Sequence, residues 1–268
     1  MTRSTTFKGL LAATAAAAFL IATTATGATE QTTQSRGIGN IVLVHGAWAD
    51  GSSWSRVIPL LQARGLHVVA VHLPLTSLVD DVATVKRALT PLDGPVLLVG
   101  HSYGGAVITE AGNDPQVARL VYVAAYAPDQ GQSTFDLATD PRYATPIAAE
   151  LVQDEFGLTL TRKGIRHDFA QDLSDVEKDV LFATQAPWSF ASALGVIGSP
   201  AWKVKKAWFI VSDRDRAISP DLQRLEANRM HAITVTLPTS HVSMLADPSN
   251  VATVILMTAA HSERYGEK

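Results

Sequence analysis

One serine of this sequence lies in surroundings that suit a nucleophile. Segment 100–105 reads Gly-His-Ser-Tyr-Gly-Gly, follows the apolar run 95–99 and precedes the helical pattern of 106–112. A strand that turns directly into a helix forces its central residue into a strained backbone conformation that only small neighbours permit. That residue projects at a helix N-terminus, where free N–H groups and the helix dipole favour negative charge. The pattern G-x-S-x-G between a strand and a helix therefore predicts that Ser102 is a nucleophile at a sharp elbow.

A serine hydroxyl is a weak nucleophile at neutral pH, so it needs a base that a third group orients. In chains with this elbow the acid follows the serine, and the histidine follows the acid. His241 lies just past the strand-like run 233–237, and loops at the carboxyl ends of strands are where such sheets place catalytic groups. His231 and His261 fit less well, because both fall within or at the end of helical patterns. We therefore expect His241 to be the base.

The acid that orients the base is expected in the loop after the strand-like run 207–211. That loop contains Asp213 and Asp215, and Asp221 lies further along. We choose Asp215, because it lies several residues beyond the strand and just ahead of a helix that begins near Pro220. Asp213 stays open as the alternative, since strand ends read from a sequence slip by two or more residues. Either carboxylate would hold the imidazole tautomer and stabilise the imidazolium.

An acyl-transfer site also needs N–H donors for the oxyanion that forms on the substrate. One donor is expected from the residue after the nucleophile, Tyr103, and the other from a loop that follows an earlier strand. The run 41–44 ends in such a loop, with the sequence His-Gly-Ala-Trp. We choose Ala47 in this loop as the second donor.

Strand-like and helical patterns alternate from residue 40 onward. This alternation is typical of an α/β fold with a mostly parallel central sheet and helices on both faces. Strand-like runs lie at 41–44, 67–73, 95–99, 120–125, 207–211 and 233–237, and the first of them is continuously apolar, as in a buried parallel strand. Helical patterns lie at 53–64, 77–90, 106–112, 220–230 and 248–261.

The segment from about 129 to 203 interrupts this alternation. It contains no good strand pattern, and helical stretches dominate, one of them started by Ser174 and Glu177 at capping-box spacing. We therefore expect an inserted helical cap. Its aromatic side chains could line an apolar acyl or alcohol pocket, although each by itself is more often a core residue. They are Phe156, Phe169, Trp188, Phe190 and Trp202. The acidic residues dispersed through the cap fit a solvated face rather than a metal site.

The start of the chain differs from the rest in composition. Arg3 and Lys8 precede the apolar run 10–22, and small residues follow at 25–28. This pattern predicts a signal peptide over residues 1–28, and hence a secreted or periplasmic protein. The apolar run is shorter than a bilayer span, so no stable membrane insertion is expected after cleavage.

Length and composition narrow the remaining choices for the 268 residues. After the leader we expect a polar linker, 29–39, and one domain, 40–268. The formal net charge is −3 and Lys and Arg are scattered, so neither nucleic acid nor anionic lipid is an expected partner. The chain has no cysteine, which excludes disulfides, a thiol nucleophile and thiolate metal ligands. A small neutral molecule is the expected substrate, and the oligomeric state stays open.

Several segments together resemble a known group of enzymes, the plant methylesterase and hydroxynitrile lyase branch of the α/β-hydrolases with its bacterial relatives. The segments span nearly all of the chain after the leader, at 42–48, 51–54, 100–105, 215–224 and 240–245. The resemblance implies an α/β-hydrolase fold and a mechanism without a cofactor. It also implies a triad of Ser102, Asp215 and His241, with oxyanion donors at Ala47 and Tyr103.

The same resemblance separates two chemistries. Lyases of that branch typically carry a threonine after the loop histidine and a lysine after the catalytic histidine, where this sequence has Gly46 and Val242. Dehalogenases and epoxide hydrolases of this fold use an aspartate nucleophile where this chain has Ser102. We therefore predict hydrolysis of a small, largely apolar carboxylic ester through an acyl-enzyme. An amidase, a hydroxynitrile-lyase-like enzyme and a non-catalytic small-ligand-binding protein are the alternatives.

Overall fold

Parallel strands form the centre of the computed structural model, which describes residues 37–261. The strands are β1 Asn40–Val44, β2 His67–Ala70, β3 Val96–His101, β4 Val117–Val123, β5 Leu151–Gln153, β6 Leu158–Leu160, β7 Lys206–Ser212 and β8 Ile233–Leu237. The α-helices are α1 Ile58–Gln62, α2 Leu78–Leu89, α3 Tyr103–Ala111, α4 Thr134–Ala138, α5 Arg162–Gly164, α6 Asp175–Thr184, α7 Phe190–Ala193, α8 Pro220–Arg229, α9 Ser243–Ala246 and α10 Pro248–Ala260.

The main sheet has the strand order β2-β1-β3-β4-β7-β8, and each neighbouring pair in it is parallel. Its central strand β3 is buried at every position, which explains the unbroken apolar run at its start. The order along the sheet reverses between β1 and β3, because β2 lies on one side of β1 and the later strands on the other. The loops at the carboxyl ends of the two strands leave a crevice at such a point. The predicted α/β fold with its parallel sheet is confirmed.

Two predicted elements are shorter than their patterns. The helix predicted over 53–64 is a 3-10 turn, Gly51–Trp54, followed by the five-residue helix α1. Pro59 lies in the first turn of α1, where its missing N–H costs nothing, but it cannot continue a helix that began earlier. The strand predicted over 67–73 ends at Ala70, because the amide of Leu73 donates to a side chain, Nε2 of His45, rather than to a strand.

The prediction that 129–203 contains no strand is wrong. β5 and β6 form an antiparallel hairpin in this segment. Its turn is closed by Asp154, whose Oδ1 accepts the N–H groups of Phe156 and Gly157, and Gly157 has a φ of +142°. Strands of three residues are too short to show an alternating pattern in a sequence. The capping box predicted at Ser174 and Glu177 is confirmed, and it lies at the start of α6.

The predictions for the start of the chain concern residues that lie outside the described part. The signal peptide predicted over 1–28 and most of the linker predicted over 29–39 belong to this part. Within residues 37–261, no helix is long and apolar enough to cross a membrane.

The start of α3 packs very closely against the end of β1. A Cβ atom added at Gly104 would lie 2.5 Å from the carbonyl oxygen of His45 and 2.7 Å from that of Val44. Real Cβ atoms do not approach backbone oxygens this closely, so a larger residue would push the helix away from the strand. Because α3 begins directly after Ser102, this packing sets where the serine lies relative to β1.

We predict that Gly104→Ala lowers the free energy of unfolding by about 1–3 kcal/mol, the usual cost of overpacking a tight site. Gly39→Ala is the matched control, because nothing lies within 4 Å of a Cβ added at Gly39. We expect the control to remain within about 1 kcal/mol of the parent protein. Urea unfolding monitored by circular dichroism measures both values, and equal losses in the two variants would contradict the packing argument.

Candidate active site

The backbone at Ser102 adopts the strained conformation expected of an elbow, with φ 54° and ψ −126°. Three backbone hydrogen bonds hold it. The N–H of Ser102 donates to the carbonyl of Val123 on the neighbouring strand β4 at 3.2 Å, and the carbonyl of Ser102 accepts from Gly105 at 2.9 Å and Tyr126 at 3.1 Å. A Cβ at Gly100 would lie 2.5 Å from the carbonyl oxygen of Gly104, so this turn requires glycine there. The predicted strand, elbow and helix are therefore present.

An aspartate and a histidine form a buried pair beside this elbow. Nδ1 of His241 lies 2.7 Å from Oδ2 of Asp215, and both side chains are almost fully buried. The same carboxylate accepts the amide N–H groups of Ala217 at 2.8 Å and Ile218 at 2.9 Å, and the side-chain amide of Gln223 at 2.8 Å. These donors fix the orientation of the carboxylate. A carboxylate on Nδ1 also fixes the histidine tautomer, so that Nδ1 carries the proton and Nε2 has a free lone pair.

The other ring nitrogen of His241, Nε2, has no fixed partner. It is buried and has no hydrogen-bond partner within the described part of the chain. Ser102 and His241 line the same cavity. Hydrogen bonds between a nucleophile and its base are often loose in the absence of substrate and shorten when substrate binds. An Nε2 lone pair in a cavity shared with a serine can accept the hydroxyl proton.

The structure places the other sequence candidates away from this pair. Asp213 is exposed and forms an ion pair with Arg224. His231 is exposed just after α8, and the ring of His261 lies 5.2 Å from the ring of Trp208 at the end of α10. Of the two open candidates for the acid, Asp215 is the one that contacts the imidazole.

His45 fixes the loop that carries the predicted donor Ala47. Nε2 of its ring accepts the amide N–H of Leu73 at 2.8 Å, so Nδ1 carries the proton and donates to the carbonyl of Gly46 at 2.8 Å. Burial lowers the pKa of His45 to about 4, which keeps the ring neutral. All described peptide bonds are trans, so the N–H of Ala47 points away from the pinned carbonyl of Gly46. The loop contacts the elbow directly, since a Cβ at Gly46 would lie 2.6 Å from Cβ of Ser102.

The other predicted donor, Tyr103, is anchored by its side chain. Its hydroxyl donates to Oδ2 of Asp81 at 2.6 Å, and Asp81 also accepts from the amide of Leu75 at 2.8 Å and the hydroxyl of Ser192 at 3.2 Å. Burial raises the pKa of the Asp81 carboxyl. Asp81 is not among the site residues predicted from the sequence. One signal could have revealed it, because Asp81 occupies the apolar face of α2 together with Leu78, Val82 and Val85.

The cavity beside Ser102 is small and largely apolar, with a volume of about 110 Å³. Its wall includes Trp48, Tyr126, Phe135, Ile147, Leu158 and Trp188, and among the described residues no Asp, Glu, Lys or Arg side chain lines it. Of the cap aromatics considered in the sequence, Trp188 lines the cavity. Phe169 is instead fully buried against the ring of His241, Trp202 is buried with its Nε1 on the carbonyl of Pro128, and Phe156 is 69% exposed. Phe190 packs on the core.

The described residues contain no group of three His, Asp or Glu side chains that could hold a metal ion.

Burial of the neutral His45 ring makes the stability of the protein depend on pH. The pKa of this imidazole is 6.5 in the unfolded chain and about 4 in the folded one, so the unfolded state binds more protons between these values. Stability is therefore lost as the pH falls from about 6.5 to about 4, by about 3 kcal/mol in total for this one group. The pKa of buried His101 is also lowered by burial and adds a loss of the same sign.

We predict that His45→Asn removes about 3 kcal/mol of the difference in unfolding free energy between pH 7 and pH 4. His67→Asn is the control, because His67 is exposed and should leave the wild-type pH dependence intact. Urea unfolding at several pH values measures the slope for each protein. A slope unchanged by His45→Asn would contradict the assignment of a neutral, hydrogen-bonded ring.

Comparison with known proteins identifies the family. A family model described as the alpha/beta hydrolase family matches residues 41–254. Over 151 residues the chain is 34% identical to a pyrethroid hydrolase of Sphingobium wenxiniae, which covers 50% of this chain and 52% of that protein. It is 34% identical over 116 residues to a carbendazim hydrolyzing esterase of a Nocardioides species, covering 37% of this chain and 47% of that protein. It is 33% identical over 109 residues to methylesterase 8 of Arabidopsis thaliana, covering 35% and 40%. The matched segments thus span about half or less of these relatives.

Solved structures match over a greater length. A pyrethroid hydrolase from Sphingobium faniae has a TM-score of 0.69 at 25% identity, over 85% of this chain and 100% of that one. Polyneuridine aldehyde esterase has a TM-score of 0.66 at 20% identity, over 82% of this chain and 98% of that one, which shows the shared fold alone. The resemblance seen in the sequence is confirmed, and the chain belongs to the alpha/beta hydrolase family.

Proposed function

We propose that this chain is a serine esterase that cleaves small, neutral, largely apolar carboxylic esters. One observation carries the proposal: Asp215 holds Nδ1 of His241, Nε2 of the same ring has no hydrogen-bond partner among the described residues, and His241 lines the same cavity as Ser102. This is the arrangement that a base needs in order to activate a serine hydroxyl.

In the proposed first step, Oγ of Ser102 attacks the acyl carbonyl carbon while its proton passes to Nε2 of His241. Asp215 stabilises the imidazolium that results, since its carboxylate is already fixed against Nδ1. The carbonyl oxygen becomes an oxyanion and accepts the backbone N–H groups of Ala47 and Tyr103. The loop at Ala47 is held by His45, and the elbow packs against it at Gly46, so neither donor has to reorganise during the reaction.

The tetrahedral intermediate then collapses. The C–O bond to the leaving alcohol breaks, and the alkoxide takes the proton from Nε2 of His241. Water enters, His241 takes one of its protons, and the resulting hydroxide attacks the acyl carbon of the Ser102 ester. Breakage of that ester returns the proton to Oγ and releases the carboxylic acid.

The cavity supports a neutral substrate. A charged group on the substrate would lose its hydration there without meeting an opposite charge, because none of the residues of 37–261 that line the wall is Lys, Arg, Asp or Glu. The relatives' names describe hydrolysis of pyrethroids, of carbendazim and of methyl esters. We carry over from them the ester class and not an individual substrate. The same triad can cleave an ester or an amide, so activity measurements on both substrate classes must distinguish an esterase from an amidase.

Two residues favour hydrolysis over the lyase alternative. A threonine in place of Gly46, which the resemblance associates with lyases, would bring its Cβ to 2.6 Å from Cβ of Ser102. A lysine in place of Val242 would replace a side chain that is 2% exposed and packs in the core.

We predict that the wild-type protein hydrolyses short p-nitrophenyl esters and that Ser102→Ala lowers kcat by at least about 10⁴-fold. A fluorophosphonate probe should label the wild-type chain at Ser102 and leave the variant unlabelled. Retention of labelling in Ser102→Ala would assign the nucleophile to another residue. A folded wild-type protein with neither turnover nor labelling would overturn the esterase proposal in favour of ligand binding.

The acid can be assigned with a matched pair of variants. We expect Asp215→Asn to lower kcat by about 10⁴-fold, because an amide on Nδ1 allows the wrong imidazole tautomer. Asp213→Asn changes the same side chain two positions away on the exposed surface, and we expect it to alter kcat by no more than about twofold. Steady-state kinetics on one p-nitrophenyl ester measures both. The reverse result would move the acid to Asp213.

A further inference from the structure

Four residues of one short segment of the cap, 168–172, contact the loops on which the proposed triad depends. Oδ2 of Asp172 accepts the backbone N–H of Ser240, directly before His241, at 2.6 Å. The side-chain amide of Gln171 donates to the carbonyl of Arg214, directly before Asp215, at 2.6 Å. One short segment of the cap therefore forms hydrogen bonds with the residue before the proposed base and with the residue before the proposed acid.

Asp168 extends this contact to the other side of the acid. Its carboxylate is buried and accepts from Nε of Arg216 at 2.7 Å, so the cap holds the residues on both sides of Asp215. Phe169, the next residue, is fully buried with its ring 5.0 Å from that of His241 and 6.0 Å from that of Trp48. The segment thus touches the imidazole itself and the loop after β1 that carries Ala47.

The local backbone explains how four side chains of one short segment contact the loops after β1, β7 and β8. Residues Ile165–Phe169 form a π-helical turn, closed by the N–H of Ala170 on the carbonyl of Ile165 at 3.0 Å. Such turns displace side chains from α-helical spacing and are frequent at functional sites. The capping box at Ser174 starts α6 directly afterwards, so the segment is fixed at both of its ends.

We propose that Asp172 is a positioning residue, which holds His241 in line with Ser102 through the N–H of Ser240. The proposal rests on the proposed function, since it concerns the same triad. Ser240 is fully buried, so loss of Asp172 leaves a buried donor unpaired unless the loop shifts. A shift of about 1 Å in a reacting group can cost about 10²-fold in rate.

Asp172 itself is exposed, so a substitution there can remove its hydrogen bond without disturbing the packing of the core. Asp172→Ala removes the acceptor, and Asp172→Asn keeps a carbonyl oxygen that can still accept the Ser240 N–H. Asp175→Ala is the matched control, because Asp175 is an exposed aspartate of the same cap whose ion-pair partners are Arg166 and Lys178. All the variants should keep a cooperative thermal transition.

The primary measurement is the second-order rate of Ser102 labelling by a fluorophosphonate, joined to kcat and KM for p-nitrophenyl butyrate. We expect Asp172→Ala to lower the labelling rate and kcat by about 10-fold to 100-fold, with KM changed by no more than about twofold. Asp172→Asn should recover most of the loss, and Asp175→Ala should behave as the wild type. A loss in Asp172→Ala that tracks a rise in KM and is not rescued by Asp172→Asn would overturn the positioning role.

Hydrogen–deuterium exchange separates failure of this inference from failure of the proposed function. The peptide covering residues 238–242 should exchange faster in Asp172→Ala than in the wild type or Asp175→Ala, whether or not the protein is an esterase. Unchanged exchange together with unchanged labelling would overturn the inference and leave the esterase proposal standing. Absence of labelling in the wild type would overturn the esterase proposal, while faster exchange would still support the contact from Asp172 to the histidine loop.

Discussion

The strained turn at Ser102 is the constraint on which the rest of the site depends. A non-glycine residue at φ 54° and ψ −126° costs on the order of 1–3 kcal/mol, and close packing around it must offset that cost. The packing is closest at glycines, since a Cβ at Gly104 would meet a carbonyl oxygen of the loop after β1 and one at Gly105 would meet that of Tyr126. The same approach that permits the turn brings Gly46 against the serine. The positions of the proposed nucleophile and of the loop that carries one proposed oxyanion donor are therefore set by a single packing arrangement.

Three buried histidines surround this turn, and their hydrogen-bond partners give them different tasks. His45 uses both nitrogens on the backbone, accepting from Leu73 and donating to Gly46, so it can hold a loop but has no lone pair left for a substrate. Nε2 of His101 lies 3.0 Å from the carbonyl of His241, and burial lowers the pKa of His101, which keeps it neutral. One ring nitrogen of His101, Nδ1, has no partner among the described residues, and the same is true of Nε2 of His241. His241 differs from both other histidines because a carboxylate holds its Nδ1 and because it lines the cavity together with Ser102. Partners, rather than residue type, thus separate the proposed base from two neutral supports.

The sequence predicts the parts of this protein that rest on local chemistry. The central strands of the main sheet contain unbroken apolar runs, and the elbow has its glycines, so the fold and the position of Ser102 follow from the sequence alone. The choice between Asp213 and Asp215 does not follow from the sequence alone. It depends on which of the two carboxylates lies against the imidazole once the loops after β7 and β8 are folded. The hairpin of β5 and β6 is too short for a periodic signal. Asp172 resembles any exposed acidic residue, since its contact with Ser240 joins positions 68 residues apart in the chain.

Hydrogen bonds hold the cap to the core at two separate places, and this limits how its sequence can vary. Ser192 reaches the buried Asp81, which holds Tyr103, and segment 168–172 holds the loops of the acid and the base. Changes at these points alter the geometry of the reacting groups as well as the shape of the cavity. Helix α4 differs, because it lines the cavity with Phe135 and is fixed at its start by its own capping box. A change at Phe135 reshapes the space for substrate and leaves the hydrogen bonds around Ser102, Asp215 and His241 in place. Substitutions in α4 can therefore change the substrate specificity and leave the proposed mechanism intact. Substitutions at 168–172 would also change the geometry of the proposed triad.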